Sequence, residues 1–275
     1  MRRALPRVAY AASVVAAPAA VYALGGMGWR LDLAVLLVVS VAGFFVGFAE
    51  RAAPFERVWN TSLGDSGVDT LHLVLSTLGV DALFIASAGV FPRLEVWPAS
   101  LPLLAQVALA IVVGEFGAYW AHRWMHETRL LWRVHLVHHS ARRLHSLNAS
   151  RNHPLDMLVL LVAAGGPLLV LGAPPLVLAL AGAFAITHLQ YQHANTTLEL
   201  GVFNWLLAGP ELHRWHHSRV PAEANGNYGH VLIVWDVLFR TRLAPEGRRP
   251  PADVGLFAGE NLEERYWPQL LSPFK

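Results

Sequence analysis

The chain has 275 residues, of which 55% are hydrophobic and only 15% charged, and its formal net charge is +2 with histidine neutral. A soluble domain normally carries about 25% charged residues, so this composition excludes an ordinary water-facing surface. The small basic excess leaves no nucleic-acid footprint, and the absence of cysteine excludes disulfides, thiolate ligands and cysteine-held iron–sulfur clusters.

Arg2, Arg3 and Arg7 precede an apolar run over residues 8–27. That run exceeds the ~7–15-residue core of a signal peptide, so an uncleaved first transmembrane helix is expected. Further apolar windows at 31–48, 71–91 and 101–121 each approach the ~20 residues that cross ~30 Å of hydrocarbon. The region 155–192 is long enough for two passes. Gly165-Gly166-Pro167 and Gly172-Ala173-Pro174-Pro175 interrupt it, so a hairpin and a pair of half-depth helices both fit. Residues 194–275 read as largely soluble, with a loop-like end rich in Pro, Gly and charge.

Basic residues set the expected orientation. Arg2, Arg3, Arg7, Arg51 and Arg57, and the arginines from Arg123 to Arg151, fall on one side of an alternating topology. The N-terminus and the histidine-rich segments are therefore expected on the cytoplasmic side of an integral membrane protein. The expected division is N-terminal transmembrane helices over 1–100, a catalytic unit of membrane helices plus cytosolic cap over 101–243, and a C-terminal tail over 244–275.

Fourteen histidines are present, and their spacing is the main chemical signal. His122-Arg-Trp-Met-His126 is an HxxxH, and His135-Leu-Val-His138-His139 and His213-Arg-Trp-His216-His217 are two HxxHH words. On a helix, positions three or four apart share a face, whereas adjacent ones do not. Each word can aim two imidazoles at one point while the adjacent His139 or His217 swings toward a second ion. His188 and His193 end the last apolar run at a corresponding depth. His72 has no clustered partner and is expected to be structural; His145 and His230 take no assignment. So many imidazoles exceed what one tetrahedral zinc can use, and ligand type alone does not choose the metal. The ligand number points to two five- or six-coordinate ions, hence iron with an open position for O2.

At these residues the chain resembles the fatty acid hydroxylase superfamily, in particular its bacterial sterol desaturase-like branch. The words around the histidines match as well: His138-His139-Ser140, Asn148-Ala-Ser-Arg151-Asn-His153-Pro154, His193-Ala-Asn195, Asn227-Tyr228-Gly229 and Trp235-Asp236-Val-Leu-Phe239. The resemblance implies an all-α, polytopic membrane helix bundle with a cytosolic helical cap carrying a di-metal site. It implies that His122, His126, His135, His138, His139, His188, His193, His213, His216 and His217 hold two Fe ions, for which Zn can substitute. Glu115, Asn195 and Asp236 are candidates for orienting the ligands from behind. Two features depart from the pattern. Arg240 stands where the family has Gly, and four residues, Gln190 and Gln192 among them, separate His188 from His193.

The implied activity is hydroxylation or desaturation of a lipid C–H bond, of sterol or fatty acyl type, with O2 and two electrons. Without a dinucleotide fingerprint or a fused haem word, those electrons are expected from a separate ferredoxin, cytochrome or reductase, docking near Arg142, Arg143 and Arg219. Trp120, Trp124, Trp132 and Trp215 are expected as channel walls or interfacial anchors. Ether-lipid and carotenoid monooxygenases of the same superfamily are the nearest alternatives. From another class, a metal transporter would place histidines deep in several helices and on both sides of the bilayer. A zinc protease is disfavoured by the lack of HExxH.

Overall fold

A computed structural model describes residues 4–87 and 90–275, so the end of the apolar window 71–91 lies partly outside the described residues. Among the described residues the chain is all-helical, and its β-type contacts are two isolated bridges, Leu207–Leu232 and Ser218–Val254.

Helices α1 (Ala4–Gly26) and α2 (Leu31–Ala52) form a hairpin around a turn at Gly28, whose φ of 86° suits glycine. The buried residues of α2, Ala34, Val39, Ala42, Val46 and Glu50, recur at helical spacing and make one stripe. Phe44, Phe45 and Phe48 point outward with more than half of their surface exposed. An apolar outer face of this kind suits lipid, not water. Glu50 ends the stripe and ties the helix end to the cap, accepting from the backbone N–H of Ser146 (2.7 Å) and Asn195 (3.0 Å).

Helix α3 (Ser66–Ser87) is followed by α4 (Leu103–Glu127) and, after a single residue, by α5 (Arg129–His139). Then come α6 (Pro154–Leu160), a π-helical turn (Leu161–Gly165) and α7 (Gly166–Leu171), which run as one 18-residue apolar stretch. The two interruptions foreseen in this region behave differently. Gly165-Gly166-Pro167 is absorbed by the π turn, a common device where a proline or insertion disturbs the hydrogen-bond ladder. Gly172 at φ 81° ends α7, and Pro175 opens α8 (Pro175–His193) at its first position. The segment is therefore a pair of helices that meet at Gly172–Pro174. Helices Leu5–Gly26, Leu31–Ala52, Leu103–Glu127 and Pro154–Leu171 are long and apolar enough to cross a membrane.

The cap is built from α5, α9 (Pro210–His216), α10 (Pro221–Ala224), α11 (Val234–Leu238), α12 (Tyr266–Leu271) and the loops between them. Under it lies a buried ion-pair network. Arg143 binds Asp65 through two nitrogens (2.7 and 2.8 Å), and Asp69 receives Arg151 (2.6 Å) and His145 (2.7 Å). Burial opposes ionisation of Asp65, but the Arg143 guanidinium outweighs it and holds the carboxyl well below its usual range. Arg143, expected on a docking surface, is instead buried in this network.

Helix α4 crosses the π turn at Gly117, where an added Cβ would sit 1.8 Å from the carbonyl oxygen of Ala163. Backbone cannot yield as a side-chain tip can. Gly117→Ala is expected to destabilise the fold by roughly 1–3 kcal/mol or more, read as a lowered thermal midpoint in detergent.

Candidate metal centre

Four helices deliver imidazoles to one end of the bundle. Helix α4 ends in His122 and His126, one turn apart on one face, and α5 carries His135, His138 and His139. Helix α8 ends at His193, and α9 with its C-terminal flank supplies His213, His216 and His217. The rings sort into two sets whose nitrogens lie within 4.8 Å of one another: His122, His126, His135, His139 and His216, and then His138, His193, His213 and His217. In each HxxHH word the outer pair, four apart, shares a set, so the ring that crosses to the other is the middle one, His138 or His216, and not the expected His139 or His217. The sets adjoin where His139 and His217 stack, ring centroids 4.4 Å apart.

Within the sets the Nε2 atoms face each other: His122 to His135 at 3.0 Å, His139 to His216 at 3.1 Å, His193 to His213 at 2.8 Å and His217 to His213 at 3.0 Å. The outward nitrogens explain why. His122 Nδ1 donates to the carbonyl oxygen of Tyr228 (2.7 Å) and His135 Nδ1 to Asp156 (2.7 Å). His216 Nδ1 donates to the Gly226 carbonyl (2.9 Å) and His138 Nδ1 to that of Arg151 (3.3 Å). His193 Nδ1 meets Asn148 Oδ1 (3.2 Å), an oxygen identified because the Asn148 amide nitrogen donates to Arg143 O. His126 Nδ1 meets Asn225 Oδ1 at 3.2 Å. A carbonyl only accepts, so the proton sits on Nδ1 and a neutral ring presents a bare lone pair at Nε2. In the His122–His135 pair, both Nε2 lone pairs then oppose each other at 3.0 Å. Burial, with neighbouring imidazoles adding to it, holds His138, His139, His213 and His217 well below the ordinary histidine pKa, and burial brings His216 down to about 3. Opposed lone pairs on neutral rings repel unless a cation lies between them, so the donor set fits two metal ions.

The orienting groups come from unexpected places as well as expected ones. Glu115 accepts the N–H groups of Val231 (2.7 Å) and Leu232 (3.0 Å), and Asp236 accepts those of Tyr228 and Gly229, both at 2.8 Å. Between them these acids clamp the turn that offers the Tyr228 carbonyl to His122. They act one bond further from the rings than the resemblance suggests. The turn needs its glycine, since a Cβ at Gly229 would meet Leu232 O at 2.3 Å. Asn195 touches no ligand ring; its amide fastens Glu56 and Asn60. Arg240 adopts φ 59°, the left-handed backbone for which glycine is the usual residue, and the turn persists through Thr241 N–H to Asp236 O (2.8 Å).

His188, expected among the ligands, joins neither set. Its Nε2 donates to Ala208 O (3.0 Å) and its Nδ1 accepts from the Tyr10 hydroxyl (2.7 Å), which engages both ring nitrogens in linking α8 to α1. His72 bonds Gln269 (2.8 Å), away from the centre, as its isolation foretold. Asp156 went unnoticed in the sequence, although a lone acid in the apolar run Leu155–Leu161 is costly unless paired and could have marked it. Asn148 and Asn225 gave no such signal. A third group, Asp65, Asp69 and His145, is already neutralised by Arg143 and Arg151 and is an ion-pair network.

Comparison with known proteins agrees with this geometry. The fatty acid hydroxylase family profile matches residues 107–241. The chain is 34% identical over 241 residues to an ornithine lipid hydroxylase of Rhizobium tropici, covering 83% of this chain and 72% of that protein. It is 32% identical over 170 residues to the alkylglycerol monooxygenase of Danio rerio, spanning 60% of this chain but 37% of that protein. A very-long-chain aldehyde decarbonylase of Oryza sativa is 31% identical over 150 residues, 50% of this chain and 52% of that one. No solved structure gives a significant match.

The partition predicts separable losses, read by elemental analysis of purified protein. His216→Ala should weaken the first ion most, and His193→Ala the second. Asp156→Asn should lower metal affinity about 10–100-fold. His188→Ala and His72→Ala should retain both ions.

Proposed function

Since this chain belongs to the fatty acid hydroxylase superfamily of membrane lipid hydroxylases and monooxygenases, we propose that it is a di-iron monooxygenase. It inserts one oxygen atom of O2 into a C–H bond of a membrane lipid, with an aminolipid of the ornithine type as the substrate class. The observation that carries the chemistry is the pair of converging nitrogen sets, five and four imidazoles with their Nε2 atoms turned inward. The substrate class rests on the similarity to the ornithine lipid hydroxylase across most of both chains.

Breaking an unactivated C–H bond needs an oxidant that side chains cannot supply. Two iron ions, when bound, would provide it from O2 and two electrons. The residues of the chain do the rest. Asp156, Asn148 and the carbonyls of Tyr228, Arg151 and Gly226 hold protons on the outward nitrogens and fix each ring. Glu115 and Asp236 keep the Tyr228 turn in register with α4. Eight of the nine rings are buried, and His126 alone is half-buried, so bulk water is kept from the reacting centre. The centre lies at one end of α4 and α8, where a lipid enters from the bilayer and electrons arrive from the aqueous side. The excess of arginines in the loops on that side supports a cytoplasmic location for it. A transporter reading is disfavoured because the two sets adjoin and do not line a path through the helices.

Anaerobic purification with metal analysis and Mössbauer spectroscopy should find about two irons per chain; stoichiometric zinc that resists replacement by iron would sink the reading. In cells given 18O2, lipid extracts should contain an aminolipid heavier by one labelled oxygen, absent from cells expressing His216→Ala. Label confined to an ether lipid would move the substrate to the alkylglycerol class.

A further inference from the structure

The proposed reaction, RH + O2 + 2e⁻ + 2H⁺ → ROH + H2O, consumes two electrons, and a chain with no cysteine and no Gly-rich dinucleotide fingerprint takes them from a separate donor. A donor must reach the buried rings, and the structure offers a short way in. His126 is the least buried of the nine histidines. The ring of Trp132 lies against it and against His139, with centroids 5.0 and 5.3 Å away. On its other side Trp132 stacks on Phe257 at 4.9 Å with the ring planes 5° apart. Its indole N–H donates to Glu260 (2.7 Å), whose other oxygen accepts the Phe257 N–H (3.2 Å). Phe257 of the C-terminal segment and Trp132 of α5 therefore form a two-ring stack that reaches two residues of the first set. The segment is fastened to the second set too, by Gly255 N–H to His217 O (3.1 Å).

The surface around this stack has a sign. Arg219 bonds the carbonyl oxygen of Leu256, next to Phe257. Arg142, Arg248 and Arg249 are 58%, 59% and 62% exposed above their partners Glu264, Glu223 and Glu56, which are 26%, 16% and 23% exposed. In these three pairs the carboxylate lies beneath and the guanidinium outermost. Asp253, which pairs Arg219 at 3.5 Å, is the exception. The stretch 254–260 exposes Ala258 and Gly259, and the large apolar side chains that the C-terminal segment exposes, Trp267, Leu271 and Phe274, lie further along the chain.

We infer that the Phe257–Trp132 stack is the electron entry point of the enzyme, and that the surrounding arginines dock a one-electron carrier protein with an acidic face. Two carriers in succession each lose one electron, which crosses the stack to the first metal position through His126 and His139. This rests on the di-iron reading, and the test separates the two.

The probe is an acidic plant-type ferredoxin, chemically reduced and mixed by stopped flow with iron-loaded enzyme in nanodiscs. The charge reversals Arg142→Glu and Arg219→Glu together should lower the second-order rate of centre reduction more than tenfold and flatten its salt dependence. Phe257→Leu should lower the limiting rate at saturating ferredoxin without changing the half-saturating concentration. Reduction by dithionite with a small mediator, and iron content, should stay unchanged in all variants. Ferredoxin reduction indifferent to these substitutions would overturn the proposal. So would variants that lose only binding to phosphatidylglycerol vesicles, since the arginines would then be a lipid contact. A wild-type protein without iron that dithionite can reduce would instead remove the di-iron reading.

Discussion

Imidazole nitrogens that point their lone pairs at one another need a cation between them, and the organisation of this protein follows from meeting that need. For six of the nine rings an acceptor on the outward Nδ1 makes the inward Nε2 a lone pair, while the Nδ1 atoms of His139, His213 and His217 are buried with no hydrogen-bond partner among the described residues. The acceptors are backbone carbonyls, one carboxylate and two amides, drawn from the chain between Asn148 and Tyr228. Their geometry must be right together. Hence the rigid devices around them: the turn at Gly229 clamped by Glu115 and Asp236, and the loop before α6 held by Arg143, Arg151 and Asn148.

Neutral rings are also the form that binds metal. Burial alone would leave such a cluster costly, because buried polar atoms without partners lose their hydration for nothing. The cap resolves this by turning the uncompensated atoms toward two shared points. The ion-pair network beneath, Arg143–Asp65 and Arg151–Asp69, places its charges close to the site yet fully paired. Removing one partner would leave a buried charge uncompensated at a cost of about 3–5 kcal/mol, and the network ties the N-terminal end of α3 to the loop that carries Asn148.

The C-terminal residues illustrate how a weak sequence signal can hide a structural role. Read along the chain, 244–275 is a Pro-, Gly- and charge-rich tail. In the fold it crosses both HxxHH words, bridging Ser218 at Val254, stacking on Trp132 at Phe257 and pairing Arg151 at Glu264. Irregular backbone is competent for this because its partners are loops and helix ends, which offer scattered groups in place of a regular ladder.

Local physics made much of the protein legible. Apolar run length marked the four stretches able to cross a membrane, and also 71–91, whose helix α3 is not among them over the described residues; glycine and proline marked the turn before α8, and a spacing of four placed the outer imidazoles of each word on a common face. What local physics leaves open is the destination of each ring. Adjacent residues on a helix diverge by about 100°, so His138 and His139 must part, but only the packing of α5 against α8 and α9 decides which ring joins which set. His188 sits five residues before His193 on the same helix, but the approach of Tyr10 from α1 and of Ala208 from the loop before α9 claims both its nitrogens. Asp156 was recruited to His135 across 21 residues and Glu260 to Trp132 across 128. Such pairings join segments whose separation no short-range periodicity encodes, and they exist only once the helices have packed.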